Sequence, residues 1–425
     1  MATIFTTVFI DLLGFGILIP VFPLLINPGS PFRVTPAGWS PRESLIMLGW
    51  LQATYPLFTF LAAPILGQLS DRFGRRPVLA FSVFGTAIGY VLFAVGLLTK
   101  NIPLLFAARA LDGATGGNLA VAQAAIGDIS TNENRAKNFG LLGAAFGLGF
   151  IIGPYLGGRL SVPHTSFYGL FDTPGWFSAT TPFWFAAGLA GVNTLFILAR
   201  FPETIRRRTT DLRVRLGKSV TDVVAGFRSE RLRVPLVTGF LFSCGFTFFT
   251  SFFGVYLARR FGFSPSRTGD FFAIAGLCIA FSQAVVVPSV AKRMVDFRVL
   301  RFSMFGLAAM LAVYFSVHST WPLYAVIPFF SLFNGLTMAN LSSLISRSAA
   351  PGRQGEAMGI YSSTSNLAQV PAAALVGYVT GSIGANTPLV VACALVALGG
   401  LWFVVGFRPH PELLNAPRAA APAAH

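Results

Sequence analysis

The sequence GQLSDRFGRR, residues 67–76, lies between two long apolar segments, at about 44–66 and 77–98. Each segment is long enough to span a membrane, because a helix needs about 20 apolar residues to cross the bilayer. The sequence therefore predicts two spanning helices joined by a turn of about five or six residues, which leaves the membrane at Ser70 and re-enters it at Pro77. The turn carries three arginines, which are Arg72, Arg75 and Arg76. A cluster of basic residues between two spans indicates the cytoplasmic side.

Two glycines and one acid accompany these arginines in what we name the inner loop, residues 67–76. Gly67 and Gly74 are predicted to allow close backbone approach and positive φ angles, and Asp71 is the only acid in the loop. The loop motif consists of Gly67, Asp71, Arg72, Gly74, Arg75 and Arg76. Its order and spacing resemble the signature loop between helices 2 and 3 of the major facilitator superfamily. The resemblance implies a transporter in which Asp71 stabilises one closed state; the alternative is a tight basic turn with no further role.

Composition indicates that most of the chain is embedded in a membrane. Of its 425 residues, 54% are hydrophobic and 11% are charged, whereas a soluble protein has about 25% charged residues. The apolar segments are continuous rather than alternating, which excludes a β-barrel. The formal net charge of +16 falls in short loops between spans, so lipid headgroups, and not a nucleic acid, are the expected counter-charges. Three cysteines in apolar segments and four histidines in loops or the tail predict no metal site and no disulfide framework.

Twelve apolar segments predict twelve membrane-spanning helices. They lie at about 4–26, 43–69, 77–98, 103–127, 138–160, 181–202, 234–258, 267–291, 299–317, 321–345, 355–381 and 388–407. They form an N-terminal six-helix bundle at 1–203 and a C-terminal six-helix bundle at 234–408. A basic connector at 204–233 separates the bundles, and an Ala- and Pro-rich tail at 409–425 is predicted to be disordered. The expected fold class is an all-α integral membrane protein with two pseudo-symmetric bundles, and substrate sites of such folds lie between the bundles.

Lys and Arg residues predict the orientation of the chain, because they are concentrated on the side of the inner loop. The positive-inside rule then places both termini in the cytoplasm. A multi-pass protein of a cell membrane, in bacteria the plasma or inner membrane, is the expected location.

The second half contains a weak repeat of the inner loop, which we name the second-half loop. Its sequence PSVAKRMVDFR, residues 288–298, keeps Arg293 in the place of Arg72 but has Lys292 in the place of Asp71. We therefore expect a decayed second copy of the motif, as in the superfamily.

Asp11 is an acid inside the first predicted span, in the segment FIDLLGFGILIPVFP at 9–23. A charged side chain at the centre of a spanning helix costs about 2.5–3.5 kcal/mol on insertion scales, so such residues are functional candidates. The segment resembles the first-helix motif of drug–proton antiporters, which implies that Asp11 carries protons. The alternative is a polar residue near a helix end.

Arg109 and Asp112 form a second candidate, in the fourth predicted span. Residues three apart share a helix face, so the two side chains are expected to pair. Arginine stays protonated in proteins and therefore needs an acid or a cavity inside a membrane. The family resemblance implies that Arg109 influences the protonation of nearby acids. Asp112 either exchanges between Arg109 and a proton or only neutralises Arg109, and both alternatives stay open here.

The fifth predicted span contains GLLGAAFGLGFIIGPYLGG at 140–158. Small residues at such spacing let neighbouring helices approach closely. The candidate antiporter motif consists of Gly149, Gly153, Pro154, Gly157 and Gly158. It resembles a motif of exporters in the superfamily and so implies outward transport. The alternative is helix packing alone.

The second half offers only weak candidates for a substrate cavity. They are Asn334, Asn340, Asn366, Gln369, Phe246 and Phe249. Polar residues in spans either line a cavity or form helix–helix hydrogen bonds. Most phenylalanines are expected to face lipid or to pack in the core, and a minority are expected to line an apolar cavity.

Nearly the whole chain resembles the drug–proton antiporters with twelve spans, and among them the tetracycline exporters. The resemblance implies export of a small amphipathic or hydrophobic compound by alternating access, driven by protons and without a cofactor. No P-loop is present in the sequence, so a nucleotide is not an expected partner. An enzyme is not expected, because Asp11, Arg109 and Asp112 provide no activated nucleophile. The alternative is an importer or uniporter of a small metabolite on the same fold.

Two departures from the tetracycline exporters concern the substrate. Those exporters carry an acid in helix 3, where this chain has Gly89 and Tyr90. They carry another acid in helix 9, where this chain has Ala308 and Ala309. A different amphipathic compound is therefore as strong an expectation as tetracycline carried as a metal chelate.

Overall fold

The computed structural model describes the backbone of residues 2–129, 135–166, 172–205, 217–349, 353–384 and 386–409. Within these ranges, side chains are described except at 2, 3, 11, 15, 135–144, 146 and 150. The first eight helices are α1 (Ala2–Ile17), α2 (Phe22–Ile26), α3 (Pro41–Phe73), α4 (Arg75–Leu98), α5 (Ile102–Thr115), α6 (Asn118–Ile129), α7 (Arg135–Leu160) and α8 (Thr181–Arg200). The next eight are α9 (Lys218–Arg228), α10 (Arg233–Phe261), α11 (Pro265–Phe281), α12 (Val287–Ala291), α13 (Asp296–Ser316), α14 (Thr320–Ser348), α15 (Gln354–Ser382) and α16 (Thr387–Gly406).

These helices occupy the positions of the predicted spans. Eight helices in the described part of the chain are long and apolar enough to cross a bilayer, when the continuous run from α11 to α12 through the π-helical Ser282–Val286 is counted as one. The predicted first span consists of α1 and α2, and the predicted fourth span consists of α5 and α6. Gly116 and Gly117 separate α5 from α6. The protein is an all-α, multi-pass membrane protein.

Local sequence signals set the start of α3. Ser40 Oγ accepts a hydrogen bond from the backbone N of Glu43 over 3.2 Å, and Glu43 Oε2 accepts one from the backbone N of Ser40 over 2.7 Å. This reciprocal capping box satisfies two N–H groups at the start of the helix. The helix then continues for 33 residues, a length of about 50 Å at 1.5 Å per residue. Because the apolar core of a bilayer is about 30 Å thick, α3 extends beyond the membrane.

The inner loop is much tighter than the sequence predicts. α3 continues to Phe73 and α4 begins at Arg75, so Gly74 alone separates the two helices. The prediction of a turn of five or six residues was wrong, because the polar end of α3 stays helical outside the apolar region. Gly74 has a φ of 109°, as expected. Gly67 lies inside α3, and a Cβ atom there would meet nothing within 4 Å, so the predicted close approach at Gly67 was also wrong.

The described residues pack into two compact units. Unit 1 lies within Met1–Lys218, Ser251–Gly276 and Ala373–Ala385. Unit 2 lies within Ser219–Thr250, Leu277–Ala372 and Asn386–His425. Parts of α10, α11 and α15 therefore pack in unit 1 although they follow the connector in the chain. The two bundles predicted from chain order, 1–203 and 234–408, remain a prediction, and most of the predicted tail lies outside the described residues.

Aromatic side chains form much of the core of unit 2. The ring centre of Phe249 lies 4.7 Å from that of Phe330 and 6.0 Å from that of Tyr314, and all three residues are buried. Phe246 is half-buried, and its ring centre lies 5.9 Å from that of Phe242. Phe249 is thus a packing residue, which is the majority outcome expected for phenylalanines of the second half.

Candidate functional site

A buried guanidinium organises the inner loop. Arg75 is 6% exposed, and its Nη1 lies 2.6 Å from Asp71 Oδ1. Its Nε donates a hydrogen bond to Asp128 Oδ2 over 3.0 Å, and its Nη1 donates one to Ser70 Oγ over 2.6 Å. Arg75 therefore joins the end of α3, the start of α4 and the end of α6, all of which belong to unit 1.

Glu203 caps the N-terminus of α4 from a distant part of the chain. Its Oε1 accepts a hydrogen bond from the backbone N of Arg75 over 2.9 Å, and its Oε2 accepts a longer one from the backbone N of Arg76 over 3.4 Å. The first N–H groups of a helix have no partner within it, and the helix dipole favours an anion there. Gly74 leaves space for the carboxylate, because a Cβ atom on Gly74 would overlap Glu203 Oε2.

The two other arginines of the loop motif have separate surroundings. Arg76 donates a hydrogen bond to the backbone O of Leu198, near the end of α8. Arg72 is exposed, and its guanidinium carbon lies 5.3 Å from the ring centre of Phe73. The structure therefore brings Asp71, Gly74 and Arg75 together and leaves Arg72 at the surface.

Sequence reasoning missed Asp128 and Glu203 as members of this site. They lie 53 and 128 residues from Arg75, so no local spacing reveals the contacts. The sequence did contain a signal. Each acid lies at the end of a predicted span, on the side of the membrane where Lys and Arg are expected. An acid on that side is an exception to the positive-inside rule and so indicates a basic or N–H partner.

The Arg109–Asp112 pair is formed as the sequence predicts. Arg109 Nη1 lies 2.9 Å from Asp112 Oδ2, and both side chains are buried. The guanidinium carbon of Arg109 also lies 4.6 Å from the ring centre of Tyr55, which is close enough for a cation–π interaction. Arg109 Nε is buried and has no hydrogen-bond partner among the described residues. The guanidinium therefore keeps one donor that an additional acceptor would satisfy.

Gly89 makes room for Asp112. A Cβ atom on Gly89 of α4 would lie 3.1 Å from Asp112 Cβ, which is tighter than an ordinary contact. The carboxyl group is thus carried by α5 at a place where α4 has no side chain.

Asp11 belongs to α1 by its backbone, but its side chain lies outside the described residues. Three residues later, Gly14 faces α4, because a Cβ atom there would overlap Tyr90 Oη. The Tyr90 hydroxyl of α4 therefore lies against the backbone of α1, three residues from Asp11.

The glycines of the antiporter motif give α7 a first close contact, with α1. A Cβ atom on Gly149 would lie 2.6 Å from Leu12 Cβ, and one on Gly153 would lie 2.6 Å from Leu13 O. A Cβ atom on Gly157 would overlap Ile17 O. Residues four apart share a helix face, so these three glycines form one face against α1.

Pro154 and Gly158 form a second face of α7, against the part of α11 that belongs to unit 1. A Cβ atom on Gly158 would overlap Pro265 O, and a Cβ atom on Gly269 would lie 2.5 Å from Pro154 O. Glycines at a helix contact let the two backbones approach this closely. The packing role of the motif is therefore present, on two faces of one helix.

Asn334 is the polar candidate of unit 2 that keeps an unused group. It is 1% exposed, and its Oδ1 has no hydrogen-bond partner in the described part of the chain. Asn340 Nδ2 donates to Leu336 O over 2.7 Å and Gln369 Nε2 donates to Ser365 O over 3.4 Å, each within its own helix. Asn366 is half-buried.

Unit 2 also contains an ion pair that sequence reasoning missed. Arg347 Nη1 donates to Asp296 Oδ2 over 3.1 Å, and Ser343 Oγ donates to the same oxygen over 2.6 Å. The contacts join the start of α13, where Asp296 belongs to the second-half loop, to the end of α14.

Known proteins resemble the chain over nearly its full length. A family model described as Major Facilitator Superfamily matches residues 4–370 and 297–424. Tetracycline resistance protein, class C, of Escherichia coli is 30% identical over 431 residues, which cover 99% of this chain and 97% of that protein. Tetracycline resistance protein, class H, of Pasteurella multocida is 31% identical over 285 residues, which cover 67% of this chain and 65% of that protein, just under two thirds of its length.

A solved structure agrees with this assignment. The crystal structure of the human organic anion transporter MFSD10 (TETRAN) matches with a TM-score of 0.71 and 23% identity, over 95% of this chain and 98% of that chain. At this identity the likeness shows the fold alone. The chain belongs to the Major Facilitator Superfamily and is a multi-pass membrane transporter of small molecules, related to the tetracycline exporters, and not an enzyme.

Proposed function

We propose that the protein is a proton-coupled antiporter that exports a small amphipathic or hydrophobic compound by alternating access. The buried Arg109–Asp112 pair is the observation that carries the proposal. A buried ion pair is weak evidence for stability, because the cost of removing two charges from water often exceeds their attraction. An ionisable pair inside a span is by default a functional candidate.

The chemistry of the pair supports proton coupling. Arg109 keeps its proton at all physiological pH values, so the proton that is gained and lost within the pair is that of Asp112. Protonation of Asp112 leaves the Arg109 guanidinium without its anion in a low-dielectric site, where an unpaired charge is costly. A second acceptor must then approach Arg109. Asp11, which we assign as the other proton carrier, and an acceptor group of the substrate are the two candidates.

The energy available is sufficient for export. Moving one charge through the membrane potential is worth about 2.3 kcal/mol per 100 mV, and one pH unit adds about 1.4 kcal/mol. One proton per substrate therefore supports a concentration ratio of at least about a hundredfold.

Several features support the direction and the substrate class. The relatives at about 30% identity are named tetracycline resistance proteins, and the two glycine faces of α7 belong to the motif that resembles exporters. Gly89 stands in the helix where the tetracycline exporters carry an acid, and the carboxylate next to Gly89 is that of Asp112 in α5. We therefore name an amphipathic compound as the substrate and not specifically the metal chelate of tetracycline.

In the proposed cycle the bundles 1–203 and 234–408 rock about a central site. Asp71 and Arg75 stabilise a state that is closed at the inner loop. Asn334, with its unused Oδ1, is the strongest candidate for a cavity group in the second bundle.

Both termini face the cytoplasm, and the membrane is the cell membrane, in bacteria the plasma or inner membrane.

The proposal is tested by expressing the protein in a host that lacks its own drug exporters. We expect higher resistance to one or more compounds of an amphipathic panel, and we expect an uncoupler to abolish that resistance. Resistance that persists with the uncoupler would contradict proton coupling. Greater accumulation of a compound in expressing cells would contradict export and would indicate import or uniport.

Two variants examine the roles of single acids in the same host. Asp11→Asn is expected to remove resistance if Asp11 carries protons, and normal proton-driven export would exclude it as an essential carrier.

Asp71→Asn is expected to change the balance between inward-open and outward-open states without loss of substrate binding. Normal transport by Asp71→Asn would contradict its gating role.

A further inference from the structure

An ion pair joins α7 to α11 at the ends of these helices that lie opposite the inner loop, on the predicted outer face. Arg159 lies in the last turn of α7, and Asp270 lies near the start of α11. Arg159 Nη2 donates to both carboxylate oxygens of Asp270, over 2.9 Å to Oδ1 and 3.1 Å to Oδ2. The side chains are 12% and 28% exposed, so most of the pair is shielded from water.

The surroundings hold Arg159 in this position. Its guanidinium carbon lies 5.3 Å from the ring centre of Tyr155, one turn earlier in α7. Its Nη1 donates to the backbone O of Ser166 in the loop that follows α7. Exposed ion pairs are weak partly because two long side chains must be ordered to form them. Arg159 is already ordered by other contacts, so less entropy is lost when it binds Asp270.

The pair lies beside a close contact of the two helices. Gly158 directly precedes Arg159, and a Cβ atom on Gly158 would overlap Pro265. Gly269 directly precedes Asp270 and faces Pro154. The two glycines bring the backbones together, and the next residue of each helix supplies the charge. The arrangement thus combines tight packing, which requires one exact geometry, with an ion pair that requires the same geometry.

We infer that Arg159 and Asp270 form an outer latch, which holds α7 and α11 together while the outer face is closed and separates when it opens. The inference rests on the proposed alternating-access cycle, because α7 precedes the connector and α11 follows it. Two bundles that rock about a central site must separate such contacts in one state. Both residues act as positioning residues, since they set which state is populated.

A cysteine reporter tests the latch without any substrate. Ser161 is 4% exposed and lies two residues after Arg159, so Ser161→Cys is expected to react with a membrane-impermeant maleimide only when the outer face opens. The three native cysteines, Cys244, Cys278 and Cys393, are first replaced by serine or alanine. The labelling rate in intact cells or proteoliposomes then reports the outward-open population.

Asp270→Asn is expected to raise the labelling rate of Ser161→Cys about tenfold, because the amide keeps an acceptor for Arg159 but loses the charge that strengthens the bond. Asp270→Glu keeps the charge and is expected to change the rate by less than about threefold. The charge exchange Arg159→Asp with Asp270→Arg is expected to return the rate toward that of the parent. This recovery would show that the effect depends on the ion pair and not on either residue alone.

The matched control removes an exposed ion pair between residues three apart in the chain. Arg353 and Glu356 pair over 2.6 Å but are 66% and 51% exposed, so Glu356→Gln is expected to leave the labelling rate unchanged. A second reporter, Ser303→Cys, lies fully buried in unit 2 and is expected to stay unlabelled in every variant.

The latch is overturned if Asp270→Asn labels at the same rate as Glu356→Gln. It is also overturned if Ser303→Cys becomes labelled together with Ser161→Cys, because Asp270 then supports the fold as a whole. The proposed function can fail independently, since the labelling measures a conformation and needs neither a proton gradient nor a transported compound.

Discussion

The inner loop of unit 1 and the second-half loop of unit 2 are each joined to a neighbouring helix by an ion pair, but the positions of the acid and the base are reversed. In unit 1 the returning helix α4 supplies the cation, Arg75, and the end of α6 supplies the acid, Asp128. In unit 2 the returning helix α13 supplies the acid, Asp296, and the end of α14 supplies the cation, Arg347. The sequence motif of the inner loop is therefore not kept in the second-half loop, whereas an ion pair between the corresponding helices is retained.

The helix dipole explains why the two arrangements differ in the support they need. An anion is favourable at a helix N-terminus and a cation at a C-terminus. Asp296 is in the first turn of α13 and Arg347 is in the last turn of α14, so both charges of unit 2 lie at favourable ends. Arg75 begins α4 and Asp128 is in the last turn of α6, so both charges of unit 1 lie at unfavourable ends.

Unit 1 offsets this disadvantage with a third group. Glu203 places a carboxylate at the N-terminus of α4, and Gly74 provides the space for it. Both ion pairs are long-range, but the inner loop needs the additional carboxylate of Glu203, whereas both charges of the second-half pair already lie at favourable helix ends. We therefore expect changes at the inner loop to have larger effects than the matched changes in unit 2.

The largest effect is expected for Gly74→Ala. The φ of 109° is strained for any residue with a side chain, which costs about 1–3 kcal/mol, and the added Cβ atom also displaces Glu203. Thermal unfolding of the purified protein in detergent measures the loss. The matched change is Val295→Ala, since Val295 precedes α13 with a φ of −82°. A loss for Gly74→Ala no larger than that for Val295→Ala would remove the claim that this glycine is required.

The next effect compares the two acids directly. Asp128→Asn leaves the buried Arg75 with one fewer anion and is expected to cost about 2 kcal/mol. Asp296→Asn leaves Arg347, whose side chain is 32% exposed, with access to water and is expected to cost about 1 kcal/mol or less. Denaturation curves of both variants give the order of the two losses. If Asp296→Asn lost as much stability as Asp128→Asn, or more, the claim that the inner loop depends more strongly on its acidic partner would be contradicted.

A smaller effect is expected for Glu203→Gln. The amide oxygen still accepts one N–H bond at the start of α4, but the negative charge is lost, at a cost of about 1 kcal/mol. Glu230→Gln is the control, because Glu230 is an exposed acid in the described part of the chain. Unfolding midpoints that do not differ between these two variants would show that the cap is dispensable.

The smallest effect, and the only gain, is expected for Gly67→Ala. Gly67 lies inside α3 with free space at its Cβ position, so alanine is expected to stabilise the helix by about 0.5–1 kcal/mol. The unfolding midpoint measures this as a small rise. A clear fall would mean that the glycine has a close neighbour in another state of the transporter.

The sequence was sufficient for the spans and for contacts that follow helix periodicity. The Arg109–Asp112 pair is three residues apart, and the glycines 149, 153 and 157 share one face, so helical spacing alone predicts both. Apolar length predicted the spans. The resemblance of the inner loop pointed to the superfamily to which the chain belongs.

The contacts that sequence reasoning missed are long-range. The contacts of Glu203 with the backbone of Arg75, of Arg75 with Asp128, of Arg159 with Asp270 and of Asp296 with Arg347 each join parts of the chain that only the fold brings together. The length of the turn was wrong for a different reason. Apolar length marks the membrane boundary, whereas a helix ends where its hydrogen bonds end, and α3 continues beyond that boundary to Phe73.

Proton coupling through Asp112 is tested most directly by comparing two modes of transport in proteoliposomes. The compound identified in the resistance assay is followed first under an imposed pH gradient and then as exchange across the membrane without a gradient. We expect Asp112→Asn to lose accumulation driven by the pH gradient and to retain exchange, because the amide of the variant cannot bind and release a proton at residue 112. Accumulation driven by the pH gradient at the parent rate would contradict the assignment of Asp112 as a proton-coupling residue.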